Sequence, residues 1–328
     1  MSGVTIVEVT RDEDGQRLDK WFKKHYPNLP FGRLQKLMRS GQVRLDGGRI
    51  KTDTRIQAGQ EVRVPPFEEG PARPSKSSKS IVRDQDIKTI EQATIYEDRD
   101  TLVINKPAGL AVQGGSNTNR HVDGILSVMG EQKGEEYKLT HRLDKDTSGV
   151  LVIAKSTKAA QFYTELFRTN QVQKTYWALV VGVPALNEGQ IDAPLIKAGG
   201  SHGEKMVVDF AKGKKATTYY RVVDRAGSRA AWLAMAPKTG RTHQLRIHCE
   251  SMDTPILGDG KYGGAFAYLE GAEIAKQMHL HARKLEAPKF GGGTLLVEAA
   301  LSSIMKDSFS YFGFDATDPD AVFGEEIL

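Results

Sequence analysis

The sequence predicts a mixed α+β protein, with a large carboxy-terminal domain preceded by a small basic one. Three observations carry this. After residue 90, short β-branched runs outnumber helical segments and do not alternate with them as repeated βαβ units would. Residues 11–79 hold 16 Lys or Arg against 9 Asp or Glu, an excess of +7 in a chain whose net charge is +5. Between the two regions lies FEEGPARPSKSSKS, rich in Pro, Ser and charge, which is the composition of a flexible linker. The expected division of the 328 residues is a small domain over 11–66, a linker over 67–89, a main domain over 90–306 and an acidic tail over 307–328.

In the small domain, Leu18, Trp21 and Phe22 have helical spacing, which predicts a helix from about Gln16 to Lys24. A second helix follows a proline break. Phe31 to Ser40 places Phe31, Leu34, Leu37 and Met38 on one face and Arg33, Lys36 and Arg39 elsewhere, and Gly41 ends it. Val43-Arg44-Leu45 and Arg49-Ile50-Lys51 flank Asp46-Gly47-Gly48 and predict a hairpin, and Glu61 to Val64 alternates as a strand. In the main domain, strand-like runs cover 101–104, 150–154, 176–181, 217–223, 230–235 and 294–299, and a helix covers 157–168. The glycine-rich stretches at 199–203 and 291–293 read as loops. The tail from Asp307 carries Phe309, Tyr311, Phe312 and Phe314, so its first half is expected to pack on the body.

Composition narrows the function. No apolar run approaches the roughly 20 residues that span a bilayer, so no membrane partner is expected. The start MSGVTIVEVT lacks a signal-peptide pattern, and Cys249, the single cysteine, fits a reducing compartment, so the cytoplasm is the expected location. A concentrated basic module points to a polyanion such as nucleic acid, with plain surface solubility as the alternative.

Four clusters carry chemistry. Asn105-Lys106-Pro107-Ala108-Gly109 follows an apolar strand. His141-Arg142-Leu143-Asp144-Lys145-Asp146-Thr147-Ser148-Gly149 sets a carboxylate near an arginine in a turn before the buried run Val150 to Ala154. Lys174-Thr175-Tyr176 opens a strand with an aromatic residue. Arg241-Thr242-His243-Gln244-Leu245-Arg246-Ile247-His248 follows Thr239-Gly240 and reads as a helix opening after a turn, with polar groups on more than one face. His243, His248, His279 and His281 lack an HExxH pattern or a cysteine cluster, so neither a metal nor any other cofactor is expected. Cys249 reads as core. Asp146 is too close to Asp144 in sequence to face it across a sugar as a glycosidase pair must.

In this order and spacing the four clusters resemble the RluA-type pseudouridine synthases, from about residue 94 to 300, and Gln113-Gly114-Gly115-Ser116 adds to the likeness. HRLDxxTSG followed by RTHQLRIH is a highly specific combination. The resemblance implies a largely antiparallel central sheet and an enzyme that detaches uracil from ribose, turns it and rejoins it through ring carbon five. It implies Asp144 as the catalytic carboxylate, acting as a nucleophile on the anomeric carbon or as a base on the neighbouring ribose proton. Arg246 would pair with it, since a nearby cation favours a carboxylate's charged form. Tyr176 would stack on the base and serve the late proton removal, with Leu245 packed beneath. Arg142 would fill the space left by the flipped nucleotide, and Lys106 would support the site with a phosphate contact as a further role. The small domain resembles the alpha-L RNA-binding motif over roughly fifty residues, which makes Arg33, Lys36, Arg39 and Arg44 candidate phosphate contacts. The substrate expected from the resemblance is large-subunit ribosomal RNA, bound by a monomer. Transfer RNA, or a role mainly as an RNA-binding ribosome assembly factor, are the alternatives.

Overall fold

The computed structural model describes residues 3–67, 82–115, 118–199, 205–321 and 323, arranged in two compact units, Met1–Lys79 and Ser80–Leu328. Ser116, positions 200–203, most of the expected linker and the end of the tail lie outside the described residues.

The small unit runs β1 (Thr5–Glu8), α1 (Leu18–His25), α2 (Phe31–Arg39), β2 (Arg44–Leu45) and β3 (Glu61–Val64), with sheet order β1-β3-β2. Leu18, Trp21, Phe22, Leu34 and Met38 form its core with Val43, Ile56, Val62 and Val64. Glu13 is buried there, and burial raises its pKa. His25, Lys24, Trp21 and the Thr10 amide, hydrogen-bonded to its carboxylate, more than offset this and hold it well below the usual range. Two expectations need correction. Phe31 is 53% exposed, because it opens α2 one turn before the face that Leu34 and Met38 bury. The hairpin of Arg44-Leu45 with Arg49–Lys51 shrinks to a single bridge between Leu45 and Gly48 across the left-handed pair Asp46 and Gly47, and β2 pairs with β3 instead. β1, which precedes the expected start at Arg11, completes the sheet.

The large unit contains α3 (Asp84–Gln92), β4 (Thr94–Glu97), β5 (Thr101–Lys106), α4 (Val122–Lys133), β6 (Lys138–Leu139), β7 (Ser148–Ala154) and α5 (Thr157–Arg168). It continues with β8 (Gln173–Val181), β9 (Glu188–Asp192), β10 (Leu195–Ala198), β11 (Lys205–Val208), β12 (Thr217–Ala226), β13 (Ala230–Pro237), α6 (Gln244–Glu250), β14 (Leu280–Pro288), β15 (Thr294–Glu298) and α7 (Ser303–Phe312). Among the described residues, ten strands form one sheet ordered β4-β5-β7-β14-β8-β13-β12-β9, with β15 on β14 and β6 on β7. Within this sheet, among the described residues, only β7 and β14 pair in parallel, so the fold is mixed α+β with a largely antiparallel sheet.

The sheet is covered on both faces, which explains the unbroken apolar run of β7. Leu151 and Ile153 point to the side of α3 and α4, and Val150, Val152 and Ala154 to the side of α5. In β8 and β13 the same alternation sends Ala178, Val180, Leu233 and Met235 towards α6, and Trp177, Leu179, Trp232 and Ala234 towards α7. α7 crosses the expected boundary at 306, because Met305, Phe309 and Phe314 are buried against Trp177 and Trp232 while Asp307 stays exposed. Residues 84–89, assigned to the linker, form most of α3, whose Ile87 and Ile90 are core.

Gly149 fixes the one parallel pairing. Its φ is +110°, and a β-carbon there would lie 2.2 Å from the carbonyl oxygen of Ala282, its partner on β14. Gly149→Ala is therefore expected to destabilise the large unit by at least about 3 kcal/mol, read as a lower midpoint in urea denaturation.

Candidate active site

The segment from His141 to Thr147 links β6 to β7 and is tied down along its length. His141 Nε2 accepts the Val152 amide at 2.9 Å, the ring stacks on Phe167, and burial pushes its pKa down to about 3, so it is a neutral anchor. The Thr147 amide donates to the Asp144 carbonyl at 3.2 Å, closing the turn. Ser148 Oγ lies 2.8 Å from His281 Nδ1, which joins the end of the loop to β14.

Lys106, at the end of β5, lies beneath the loop with no exposed surface. Its Nζ donates to the carbonyls of Pro107, Leu110 and Lys145 at 2.8, 2.8 and 3.0 Å. Burial pushes its pKa down to about 7, while the charges of Asp146 and Asp144 act in the opposite direction. The expected phosphate contact is thus corrected: a fully buried ammonium with three carbonyl acceptors has nothing left for a phosphate, and its work is to fix the residue after Asp144. Lys106→Met leaves those acceptors without their donor, so a loss of about 1–3 kcal/mol is expected, seen as a lower thermal midpoint.

The opposite wall is α6, and its sequence explains its placement. Gln244 uses its whole amide: Oε1 accepts from Thr239 Oγ1 and the Arg241 amide, and Nε2 donates to the Thr217 carbonyl and Thr218 Oγ1. One turn on, His248 meets Thr218 Oγ1 and the Ala193 carbonyl. Both side chains face the sheet, so Arg246 points into the site. Arg246 grips Asp259 with Nε and Nη2, each at 2.7 Å, and its Nη1 lies 3.8 Å from Asp144 Oδ2. The expected pair with Asp144 is present as an ion pair, but the forked partner is Asp259, which is buried. His243 Nε2 is 3.8 Å from Asp144 Oδ1, and its Nδ1 is 2.6 Å from the Tyr262 hydroxyl.

Asp144, Tyr176, Arg142, Lys174, Arg241 and His243 line a cavity of about 510 Å³, and a smaller one of about 130 Å³ adds Leu245 and Arg246. Tyr176 is half-buried and belongs with Leu245 to one apolar cluster. Burial, with the charge of Asp144 second, holds its hydroxyl protonated well above the ordinary tyrosine range. Arg142 is exposed, and among the described residues no acid pairs with it. Asp146 is exposed and lines neither cavity. Among the described residues, no three His, Cys, Asp or Glu side chains are grouped to hold a metal ion.

The basic residues of the small unit are placed separately. Arg33, Lys36 and Arg39 are exposed on α2, away from buried Leu34 and Met38. Arg44 Nε and Nη1 donate to the carbonyls of Gly41 and Gly47, which makes it part of the turn. Asp259 and Tyr262 escaped sequence reasoning because they sit in a glycine-rich turn without periodicity. The Thr-His-Gln-Leu-Arg order did contain His243, weighed there only as a metal ligand.

Residues 100–251 match the family model described as RNA pseudouridylate synthase. The chain is 35% identical to ribosomal large subunit pseudouridine synthase C of Rickettsia felis over 298 residues, covering 89% of this chain and 95% of that one. It is 34% identical to the Escherichia coli protein of the same name over 308 residues, covering 92% and 95%. Among solved structures, human RNA pseudouridylate synthase domain containing 4 aligns with a TM-score of 0.58 and 29% identity, covering 72% of this chain and 97% of that one. Human RNA pseudouridylate synthase domain containing 1 aligns with a TM-score of 0.53 and 25% identity, covering 70% and 96%. Identity of this order along nearly the whole of both chains, with the loop, strand and helix that form the cavity inside the matched region, means that the chain belongs to the RNA pseudouridylate synthase family.

Proposed function

We propose that this RNA pseudouridine synthase isomerises uridines of large-subunit ribosomal RNA, with Asp144 as its catalytic carboxylate. The observation that carries the site is the meeting of Asp144, Arg246 and Tyr176 around one cavity from three segments distant in sequence. The substrate class is supported by the relatives, whose names place them on the large ribosomal subunit.

In this reading a flipped uridine sets its ribose against Asp144 and its base on Tyr176, while Arg142 enters the gap in the RNA. Asp144 attacks the anomeric carbon or takes the neighbouring ribose proton; either way the bond to ring nitrogen one breaks. The freed uracil is held by stacking, about 1–3 kcal/mol per base, until carbon five reaches the anomeric carbon. The proton on carbon five then leaves and nitrogen one gains one, and on the second route Asp144 also returns its proton to the ribose carbon as carbon five bonds, so either route balances. Because the Tyr176 hydroxyl is held protonated, its stacking face is its main contribution, and the released Asp144 carboxylate is the better acceptor for that last proton.

The single buried Cys249 fits a reducing cytoplasm. Arg33, Lys36 and Arg39 supply phosphate contacts in the small unit. Their triple substitution by Ala is expected to weaken RNA binding and to reduce the slope of log affinity against log salt by about 2, measured by fluorescence anisotropy. The substrate class is tested by incubating the protein in parallel with large-subunit ribosomal RNA and with transfer RNA made without modifications, then mapping pseudouridine chemically. New sites confined to the ribosomal RNA are expected; sites confined to transfer RNA would move the assignment there.

A further inference from the structure

The second oxygen of Asp144 faces an arrangement with its own internal logic. His243 caps the start of α6 with φ +56°, a left-handed conformation uncommon for residues other than glycine. Its side chain is 19% exposed and reaches two groups: Nδ1 is 2.6 Å from the Tyr262 hydroxyl, and Nε2 is 3.8 Å from Asp144 Oδ1. Arg246 Nη1 stands 3.8 Å from Oδ2, so the carboxylate is bracketed by two nitrogen groups.

The contacts constrain the protons on this chain. The Met206 amide donates to the Tyr262 oxygen at 3.4 Å and so occupies one of its acceptor sites, and the Tyr262 hydroxyl lies 2.6 Å from His243 Nδ1, where the hydroxyl is the donor in the proposed arrangement. Burial lowers the pKa of His243 below the ordinary imidazole value; Asp144 and Asp259 act to raise it, while Arg246 and Lys261 act to lower it. A neutral imidazole that accepts at Nδ1 carries its hydrogen on Nε2, the nitrogen facing Asp144. Arg246 also lies over the Tyr262 ring, 4.9 Å from its centroid, which ties both sides of the bracket to one aromatic residue.

We propose that His243 is a positioning residue, set by Tyr262 in the tautomer that donates from Nε2 to Asp144 Oδ1 once substrate closes the site. This rests on the reading of Asp144 as the catalytic carboxylate. The contact fixes the rotation of the carboxylate and leaves a defined lone pair for the ribose. Hydrogen bonds of this kind are often long in a free enzyme and shorten in the complex.

The test combines spectroscopy with kinetics on the full chain. In protein labelled with nitrogen-15 histidine, the His243 resonances, identified by their loss in His243→Asn, are expected to report the Nε2–H tautomer. In Tyr262→Phe they are expected to shift towards Nδ1–H. Asparagine tolerates the left-handed backbone, so His243→Asn is expected to fold, with its thermal midpoint as the check. With RNA carrying tritium at uracil carbon five, His243→Asn is expected to lower kcat about tenfold or more with little change in KM. The double variant His243→Asn/Tyr262→Phe is expected to be no slower than His243→Asn, because Tyr262 acts through the ring. An Nδ1–H tautomer in the wild type, an unchanged kcat in His243→Asn, or additive losses in the double variant would overturn the inference. If instead Asp144→Asn keeps wild-type activity, the reading of Asp144 itself falls.

Discussion

Asp144→Asn is expected to abolish isomerisation while leaving the protein folded. The substitution keeps size and shape and removes the charge. An amide can neither attack the anomeric carbon at a useful rate nor take a proton from ribose, so a loss on the order of 10⁴-fold or more is expected in kcat. Stability is expected to change little, because the side chain is 31% exposed and the nearest nitrogens of His243 and Arg246 stand 3.8 Å from its oxygens. Arg246 keeps its two hydrogen bonds to Asp259 in the variant, so that wall of the site stays assembled. RNA affinity should be retained, since Arg142 and the basic face of α2 are untouched. Single-turnover product formation, a thermal melt and an RNA-binding titration separate these three expectations.

The second large effect is expected at Arg246, and it acts on stability as well as rate. Arg246→Ala leaves Asp259, whose side chain is 1% exposed, as a buried carboxylate without its forked partner. Stranding one member of a buried pair costs about 3–5 kcal/mol, a large part of the stability of an ordinary domain. Activity falls too, because the cation beside Asp144 is lost. Arg246→Met combined with Asp259→Leu separates the two roles: replacing both partners by apolar side chains should recover much of the stability and none of the activity. Denaturation midpoints and product formation measured on the same preparations decide this. Recovery of activity in the double variant would mean that Arg246 serves the fold alone.

How much was legible follows from how local each signal is. The strand that Tyr176 opens, the strand after Gly149 and the helix carrying Arg246 could be placed because apolar run, turn chemistry and periodicity are local properties. The four clusters converge in the structure because three of them lie at the ends of strands of one sheet and the fourth opens the helix packed on it. Arg246 to Asp259 could not be read, since its two residues are 13 positions apart and the second lies in an irregular turn. The buried state of Lys106 was equally hidden: a lysine after a strand looks the same whether it meets three carbonyls or a phosphate. Composition misled at the end of the main domain. The change to acidic sequence at Asp307 suggested a boundary, but α7 turns its charges outward and buries Phe309, so the helix continues through it. In the small unit, two glycines and an aspartate between β-prone triplets predicted a longer hairpin than forms, because Leu45 finds its register against Val62.

The most direct measurement is tritium release from large-subunit ribosomal RNA labelled at uracil carbon five, with the purified full-length chain and its Asp144→Asn variant compared side by side in the presence of a chelator and without nucleotide. Release by the wild type, matched mole for mole by new pseudouridine and absent from the variant, is the expected result. Equal release by both proteins would contradict the assignment of the chemistry to Asp144, and release without pseudouridine would contradict the reaction itself.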